Sequence, residues 1–368
     1  MTISSLTKNS ERTQNIEQIV YSILQNSVVP VANEIDTNPI ELEKALMSLG
    51  KSGLLGLKIP QKWGGLELAR QDYFNYQLLL ARYSGALSFL QTQHQSAAAI
   101  LASSENYQLQ EEYLPHLSYG KILLGVGFSQ LRRAEVPVKA FPTQGGYYIE
   151  GIVPWITGWG IFQEFIIAAK LPDGRAIFGM IPFIESNQLN GNITFSKPMS
   201  LCAINSTNTV SATVKNWFLS NERLVSIQPV NWVQENDRKK ILGFTPFALG
   251  CALAGIDIMI KVSEKKSLVF INDAINSLKT EVTQCRNSIE LANKNPDTDF
   301  ATKLHLRAKA INLAQLCATA AVTVSSGAAN HQSHAAQRVY REALVYTVSA
   351  QTTDIMEATL KNLVPILE

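Results

Sequence analysis

The residues best equipped for chemistry stand together in Pro154-Trp155-Ile156-Thr157-Gly158-Trp159-Gly160, directly after a strand-like run from Tyr147 to Val153. An indole is a flat apolar wall, and a threonine beside it offers a hydroxyl and a backbone N–H at one fixed height. Trp155, Ile156 and Thr157 therefore suit a planar heteroaromatic ligand that needs one face covered and one edge hydrogen-bonded. The same residues would also serve as a buried aromatic turn pinning a sheet to its neighbour.

Other candidate groups carry less. His331-Gln332-Ser333-His334 would put two imidazoles on one helical face. With no third ligand in the pattern, a structural turn or a pocket rim is the better reading, and no metal is expected. Cys202, Cys251, Cys285 and Cys317 are widely separated, without Cys-x-x-Cys spacing. That is neither a disulfide framework nor a zinc site, and it fits a reducing cytoplasm. No nucleophile-elbow sequence points to a Ser–His–Asp triad.

These groups need a scaffold. The chain has 368 residues, 46% hydrophobic and 17% charged, with a formal net charge of +2. This is the composition of a globular protein of two or three packed units. No dense Lys/Arg stripe marks a nucleic-acid footprint, and no uninterrupted apolar run is long enough to span a bilayer. Met1 to Lys8 lacks the apolar stretch of a signal peptide. A soluble, cytoplasmic protein is expected, with neither nucleic acid nor membrane as a partner.

The first third reads as helix. Asn38-Pro39-Ile40-Glu41 is a capped start, and Leu42, Leu46 and Leu49 follow on one face. Further helices are expected over 71–83, 86–101 and 105–117, the last broken at Pro115. From Gly120 the pattern turns to strands: 122–128, a hairpin of 136–141 with 147–153, a second of 165–169 with 176–181 around Pro172-Asp173-Gly174, then 194–195, 209–214 and 217–219. Helix returns over 247–262, 271–292, 301–324 and 335–363. The expected fold class is α+β: an N-terminal helical domain (1–120), a central antiparallel β domain (121–228) and a C-terminal four-helix bundle (229–368). No Gly-x-Gly-x-x-Gly follows a strand and opens a helix, so a dinucleotide would not bind in the Rossmann manner.

In this order the segments resemble the acyl-CoA dehydrogenase family of flavoproteins over almost the whole chain. Ser52-Gly53-Leu54-Leu55-Gly56-Leu57-Lys58-Ile59-Pro60 with Trp63-Gly64-Gly65 is similar to its N-terminal Gly-Gly loop. Tyr113-Leu114-Pro115, then Gly120 and the strand to Phe128, is similar to the entry into its β domain. Trp155-Ile156-Thr157 resembles the family's Trp-x-Thr/Ser segment, which covers the flavin ring and bonds its edge. Ala248-Leu249-Gly250-Cys251-Ala252 with Asp257 resembles the first helix of its C-terminal domain, and Gln337 to Ala343 its Arg-x-x-Arg-Asp-Ala segment.

The resemblance implies FAD, an acyl thioester substrate, and a homodimer or homotetramer. It also implies a carboxylate that removes the α-proton while the β-hydrogen leaves as hydride to flavin N5. Here the sequence departs from the pattern. The two positions where the family keeps its Glu fall on Ala350 and Lys240. A lysine whose pKa is depressed by burial can act as a base. Glu342, Asp354 and Glu357 read as helix-surface or ion-pair residues. Where the family has Thr-Glu-Pro and Gly-Ser-Asp, this chain has Ser129-Gln130-Leu131-Arg132-Arg133. Ser129 keeps a hydroxyl; Arg132 and Arg133 read either as surface residues or as a phosphate clamp. The family's Arg-x-x-Phe-Gly segment is not recognisable around Ser263 to Lys266. The Gly327 to Asn330 segment occupies the family's Gly-rich loop, which places His331 at the cofactor.

The expected function is flavin-dependent α,β-dehydrogenation of an acyl thioester. Two alternatives stay open. One is a flavin monooxygenase on the same fold, with FMN as cofactor, where His94 and Thr157 are the counterparts by position; otherwise His94 is a hydrogen-bonded polar residue on a helix. The other is a catalytically silent binding or assembly relative.

Overall fold

The Asn38-Pro39 signal does what its chemistry dictates. The Asn38 side-chain oxygen accepts from the Ile40 N–H at 3.0 Å, and a helix runs from Pro39 to Lys51, burying Leu42, Leu46 and Leu49. The computed structural model describes residues 16–364; the Met1 to Lys8 segment lies outside the described residues. In chain order the first helices are α1 (residues 16–23), α2 (Ala32–Thr37), α3 (Pro39–Lys51), α4 (Arg70–Tyr83), α5 (Gly85–Ala102) and α6 (Tyr107–Leu117). Pro115 does not break α6. Pro115 and Glu111 both lie on its exposed face, so the carbonyl that loses a partner there is open to water.

The strands are β1 (Leu124–Gly127), β2 (Val138–Thr143), β3 (Gly146–Ile156), β4 (Glu164–Lys170), β5 (Ala176–Pro182), β6 (Ser186–Asn187), β7 (Asn192–Phe195), β8 (Val210–Ser220) and β9 (Leu224–Gln228). They form one sheet in the order β6-β7-β8-β3-β2-β4-β5-β9, with β1 lying parallel beside β4. The other pairings are antiparallel, apart from a single parallel contact between β2 and β4, and both expected hairpins form. The strands expected at 209–214 and 217–219 are one, β8. The polar interruption at Lys215-Asn216 is a bulge: Asn216 takes φ +43, and the register against β3 shifts there.

The C-terminal helices are α7 (Trp232–Lys239), α8 (Thr245–Lys266), α9 (Val269–Lys294), α10 (Phe300–Ser325), α11 (Ala335–Val348) and α12 (Thr353–Leu363). Gly250 lets α8 lie against α4: a Cβ there would meet the Leu78 carbonyl oxygen at 2.5 Å and the Ala81 Cβ at 2.7 Å. Arg82 of α4 closes this contact with a bidentate pair to Asp257 of α8, at 2.6 and 2.7 Å. The single helix expected over 335–363 is two. The chain turns at Ser349 to Thr352, where Ala350 takes φ +50 and Thr352 caps α12.

A network of largely buried polar contacts ties α11 to the N-terminal helices. The Arg338 Nη1 lies 2.8 Å from Glu342 Oε1, which also accepts from the Gly85 N–H. Arg338 Nε donates to Asn33, and Arg341 pairs with Asp36, which accepts in turn from the Ile204 N–H. Glu342 is thus a buried ion-pair residue, and burial raises its pKa despite Arg338.

Candidate functional site

A cavity of about 1230 Å³ opens where the three regions meet, bordered by α4, α5, the ends of β1 and β3, α7 and the turns around Ile241 and Ser349. Strand β3 delivers Trp155 and Thr157 to it. The chain leaves the strand through Gly158 at φ +102, where a Cβ would meet the Phe162 ring at 2.4 Å. Only glycine fits that exit, and it sets where Thr157 stands. Trp155 is 49% exposed, an indole held open rather than packed away. The Thr157 hydroxyl is buried, 3.0 Å from the Thr209 hydroxyl. Ile156 faces the other way, into the core. The second indole, Trp159, packs on Phe195 and Phe183 with centroids 4.4 and 5.4 Å away.

Ser129, in the turn after β1, borders the cavity with a buried hydroxyl that has no partner among the described residues. Such a group costs free energy unless a ligand completes it. An open indole wall, a threonine and an unanswered hydroxyl fit the face and edge of a flavin.

The electrostatics are one-sided. Among the described residues, eight lysine and arginine side chains border the cavity against one carboxylate, Asp237. That carboxylate is engaged: Arg132 holds it through two bonds of 2.7 and 2.8 Å. Arg132 is therefore not a free phosphate clamp, because its fork is already filled by Asp237. Arg133 is exposed and away from the cavity.

Both positions aligned with the family's Glu reach the cavity, Ala350 and Lys240. The pKa of Lys240 is lowered, by burial first and by Arg70, against the opposing pull of Asp237. Lys58 joins it on the same wall, with its ammonium 4.1 Å from the centre of the Tyr73 ring. Its side chain is exposed to solvent, while protein atoms crowd around it on the cavity side. Burial, then the charge of Lys240, pushes its pKa down to about 8. Across the cavity, Arg307 of α10 is 1% exposed. Its Nη2 donates to the Ser349 carbonyl at 3.0 Å, while its Nε and Nη1 have no hydrogen-bond partner among the described residues. Burial alone pushes its pKa down to about 9, still charged at neutral pH.

Three expected site residues are not in the cavity: Ile156, which is packed in the core, and the two histidines His94 and His331. His94 is fully buried: its Nε2 lies 3.2 Å from the Leu117 carbonyl, and its Nδ1 accepts from the Leu124 N–H at 3.0 Å. Both ring nitrogens serve the backbone, and burial lowers the pKa to about 4. It is a structural residue linking α5 to α6 and β1. His331 is exposed in the turn before α11, while His334 caps that helix by accepting from the Ala336 N–H. Among the described residues no group of three His, Cys, Asp or Glu side chains gathers as for a metal.

The sequence reading passed over Lys58 and Arg307. Arg307 had a legible signal: it falls on the same helical stripe as Ala310, Ile311, Ala314 and Cys317, all buried. Lys58 gave none beyond its place in the Gly-Leu-Lys-Ile-Pro loop.

Residues 10–121 match the acyl-CoA dehydrogenase N-terminal domain. Isovaleryl-CoA dehydrogenase from Solanum tuberosum is 24% identical over 219 residues, 58% of this chain and 53% of that protein, so the match spans about half of that relative. A 3-(aryl)acrylate reductase from Clostridium sporogenes is 18% identical over 96% of this chain and 98% of its own. The solved glutaryl-CoA dehydrogenase bound to glutaryl-CoA superposes with a TM-score of 0.80 at 19% identity, over 96% of this chain and 95% of that one. The likeness read from the sequence thus holds for the fold along the whole chain and for the family's N-terminal domain.

Proposed function

We propose that this chain, which has the fold of the acyl-CoA dehydrogenases and their N-terminal domain, is a flavin-dependent oxidoreductase of an acyl thioester in which a lysine amine, rather than a carboxylate, moves the α-proton. One observation carries the reading. Lys58 and Lys240 border the same cavity as Trp155, Thr157 and Ser129, while the family's base position is Ala350, which holds no proton.

When bound, the flavin supplies a hydride acceptor for the β-carbon. The chain's own residues do the rest. Trp155 covers the ring face, and Ser129 and Thr157 bond its polar atoms. The surplus of cations draws in the phosphates of cofactor and thioester. An amine with a pKa near 8 is partly neutral at physiological pH, so the Lys58 amine accepts the α-proton as that C–H bond breaks. Lys240 is the neighbouring charge that helps keep Lys58 neutral. In the reverse direction the Lys58 ammonium returns a proton to the α-carbon. The clostridial relative is a reductase of 3-(aryl)acrylates, and the same side chains would serve reduction here.

The stripe of Tyr340, Leu344 and Val348 on α11, with Met356, Leu360 and Leu363 on α12, is exposed and apolar. It supports assembly into a homodimer or homotetramer.

The test is the flavin content of protein purified without added cofactor, followed by anaerobic addition of acyl thioesters. Bound flavin that bleaches supports the reading. Protein that takes up no flavin even when it is supplied defeats it. Among the described residues no unengaged carboxylate borders the cavity, which favours a second reading, flavin-dependent monooxygenation, a reaction that needs hydrogen-bond donors rather than an α-proton base. Turnover that requires O₂ and supplied reduced flavin would select it.

A further inference from the structure

Arg307 stands in the cavity wall as a charge the protein does not answer. It lies on the apolar stripe of α10, with one bond to the Ser349 carbonyl and the Phe244 ring 5.4 Å from its guanidinium carbon. Its Nε–H and both Nη1 hydrogens meet neither a protein acceptor nor open solvent. Among the described residues the one carboxylate that borders the cavity, Asp237, is engaged by Arg132. Beside it the chain turns through Ala350, where the side chain is a single methyl. The side chain at position 350 thus brings no charge to answer the guanidinium, and both residues border the cavity.

We infer that Arg307 is a carboxylate-binding subsite, and that the substrate brings the anion the chain has given up. The chemistry is that of buried charge recognition. A guanidinium stripped of water gains little from a neutral group but forms charge-assisted bonds with a carboxylate. A ligand lacking the carboxylate leaves those donors unpaired. This rests on reading the cavity as the substrate site, and it narrows the substrate to one carrying a carboxylate. That carboxylate is either the far end of a dicarboxylic acyl thioester or the acid group of a free carboxylate.

The test is calorimetric binding to the full-length protein. The probes are succinyl-, glutaryl- and adipyl-CoA, the uncharged butyryl-, valeryl- and hexanoyl-CoA, and free glutarate. At least one dicarboxylic thioester, or free glutarate, is expected to bind about tenfold or more tighter than its uncharged counterpart. Valeramide is the counterpart for free glutarate. Which arm responds identifies the source of the carboxylate. Arg307→Met should weaken the charged probe about 100-fold and leave the uncharged ones nearly unchanged. Arg307→Lys, which keeps the charge without the fork, should restore part of the preference. A merely structural arginine would shift charged and uncharged probes together. Equal binding of charged and uncharged probes in the parent protein overturns the inference, as does a preference that survives Arg307→Met. Flavin retention and valeryl-CoA binding are read separately. If both are intact while carboxylate preference is absent, the subsite alone fails. If flavin and every thioester are refused, the cavity reading fails, and the glutarate arm then judges Arg307 by itself.

Discussion

Replacing Lys58 tests the proton-transfer proposal where it is most exposed. Its pKa lies near 8 instead of 10.5, through burial first and the Lys240 charge second. A displacement of ~2.5 units raises the neutral fraction at pH 7 from ~0.03% to ~9%, about 300-fold. Oxidation of an acyl thioester should therefore climb with pH and level off above an inflection near 8. Lys58→Met should lower kcat/KM by about 10²–10⁴, the usual worth of a positioned acid or base, and erase that inflection. Lys240→Met removes the second cause of the shift, so the Lys58 inflection should move upward while the plateau survives. The assay is anaerobic flavin bleaching from pH 6 to 10 on the parent and both variants. Stability provides an independent readout. Because the folded pKa is depressed, the charged form costs folding free energy below pH 8, and that cost fades as pH rises from about 8 towards 10.5. Thermal midpoints should thus rise across that window in the parent and stay flat in Lys58→Met. An unchanged inflection in Lys58→Met refutes the assignment, and an unmoved one in Lys240→Met refutes the coupling.

Further outcomes follow from single side chains. Ser129→Ala should loosen flavin by about 5- to 10-fold, the worth of one hydrogen bond, measured as cofactor lost on dialysis; retention equal to the parent's would remove Ser129 from the flavin site. His94→Leu strips the Leu117 carbonyl and the Leu124 N–H of their partner, so it should cost about 2–4 kcal/mol in urea unfolding and leave kcat near the parent value in the folded fraction. A collapse of kcat at unchanged stability would return His94 to catalysis. Glu342→Ala leaves Arg338 buried and under-paired and should destabilise by about 3–5 kcal/mol in urea unfolding, whereas Glu357→Ala, which breaks only an exposed pair with Lys361, should leave the unfolding midpoint nearly unchanged.

Much of the architecture was legible along the chain because local chemistry fixed it. Asn38 capped the helix it announced, and the turns at 144–146 and 172–174 closed the expected hairpins. Where local signals failed, solvent or backbone geometry had overruled them. Pro115 stayed in its helix on a wet face, Asn216 bent a strand without ending it, and Ala350 split a helical pattern that composition alone could not interrupt.

The sequence by itself determined the order of helices, strands and helices, and that Trp155 and Thr157 stand near the end of a strand, although β3 runs on to Ile156 where the pattern ended it at Val153. Only the tertiary structure decided which groups face one another. His94 was withdrawn into backbone bonds, Arg132 was spent on Asp237, and Lys58 was brought beside Lys240, 182 positions away. Periodicity acts over a few residues. The pKa of a lysine, or the solitude of Arg307, depends on what distant segments place within a few ångströms and on the water they displace, and no local pattern encodes that.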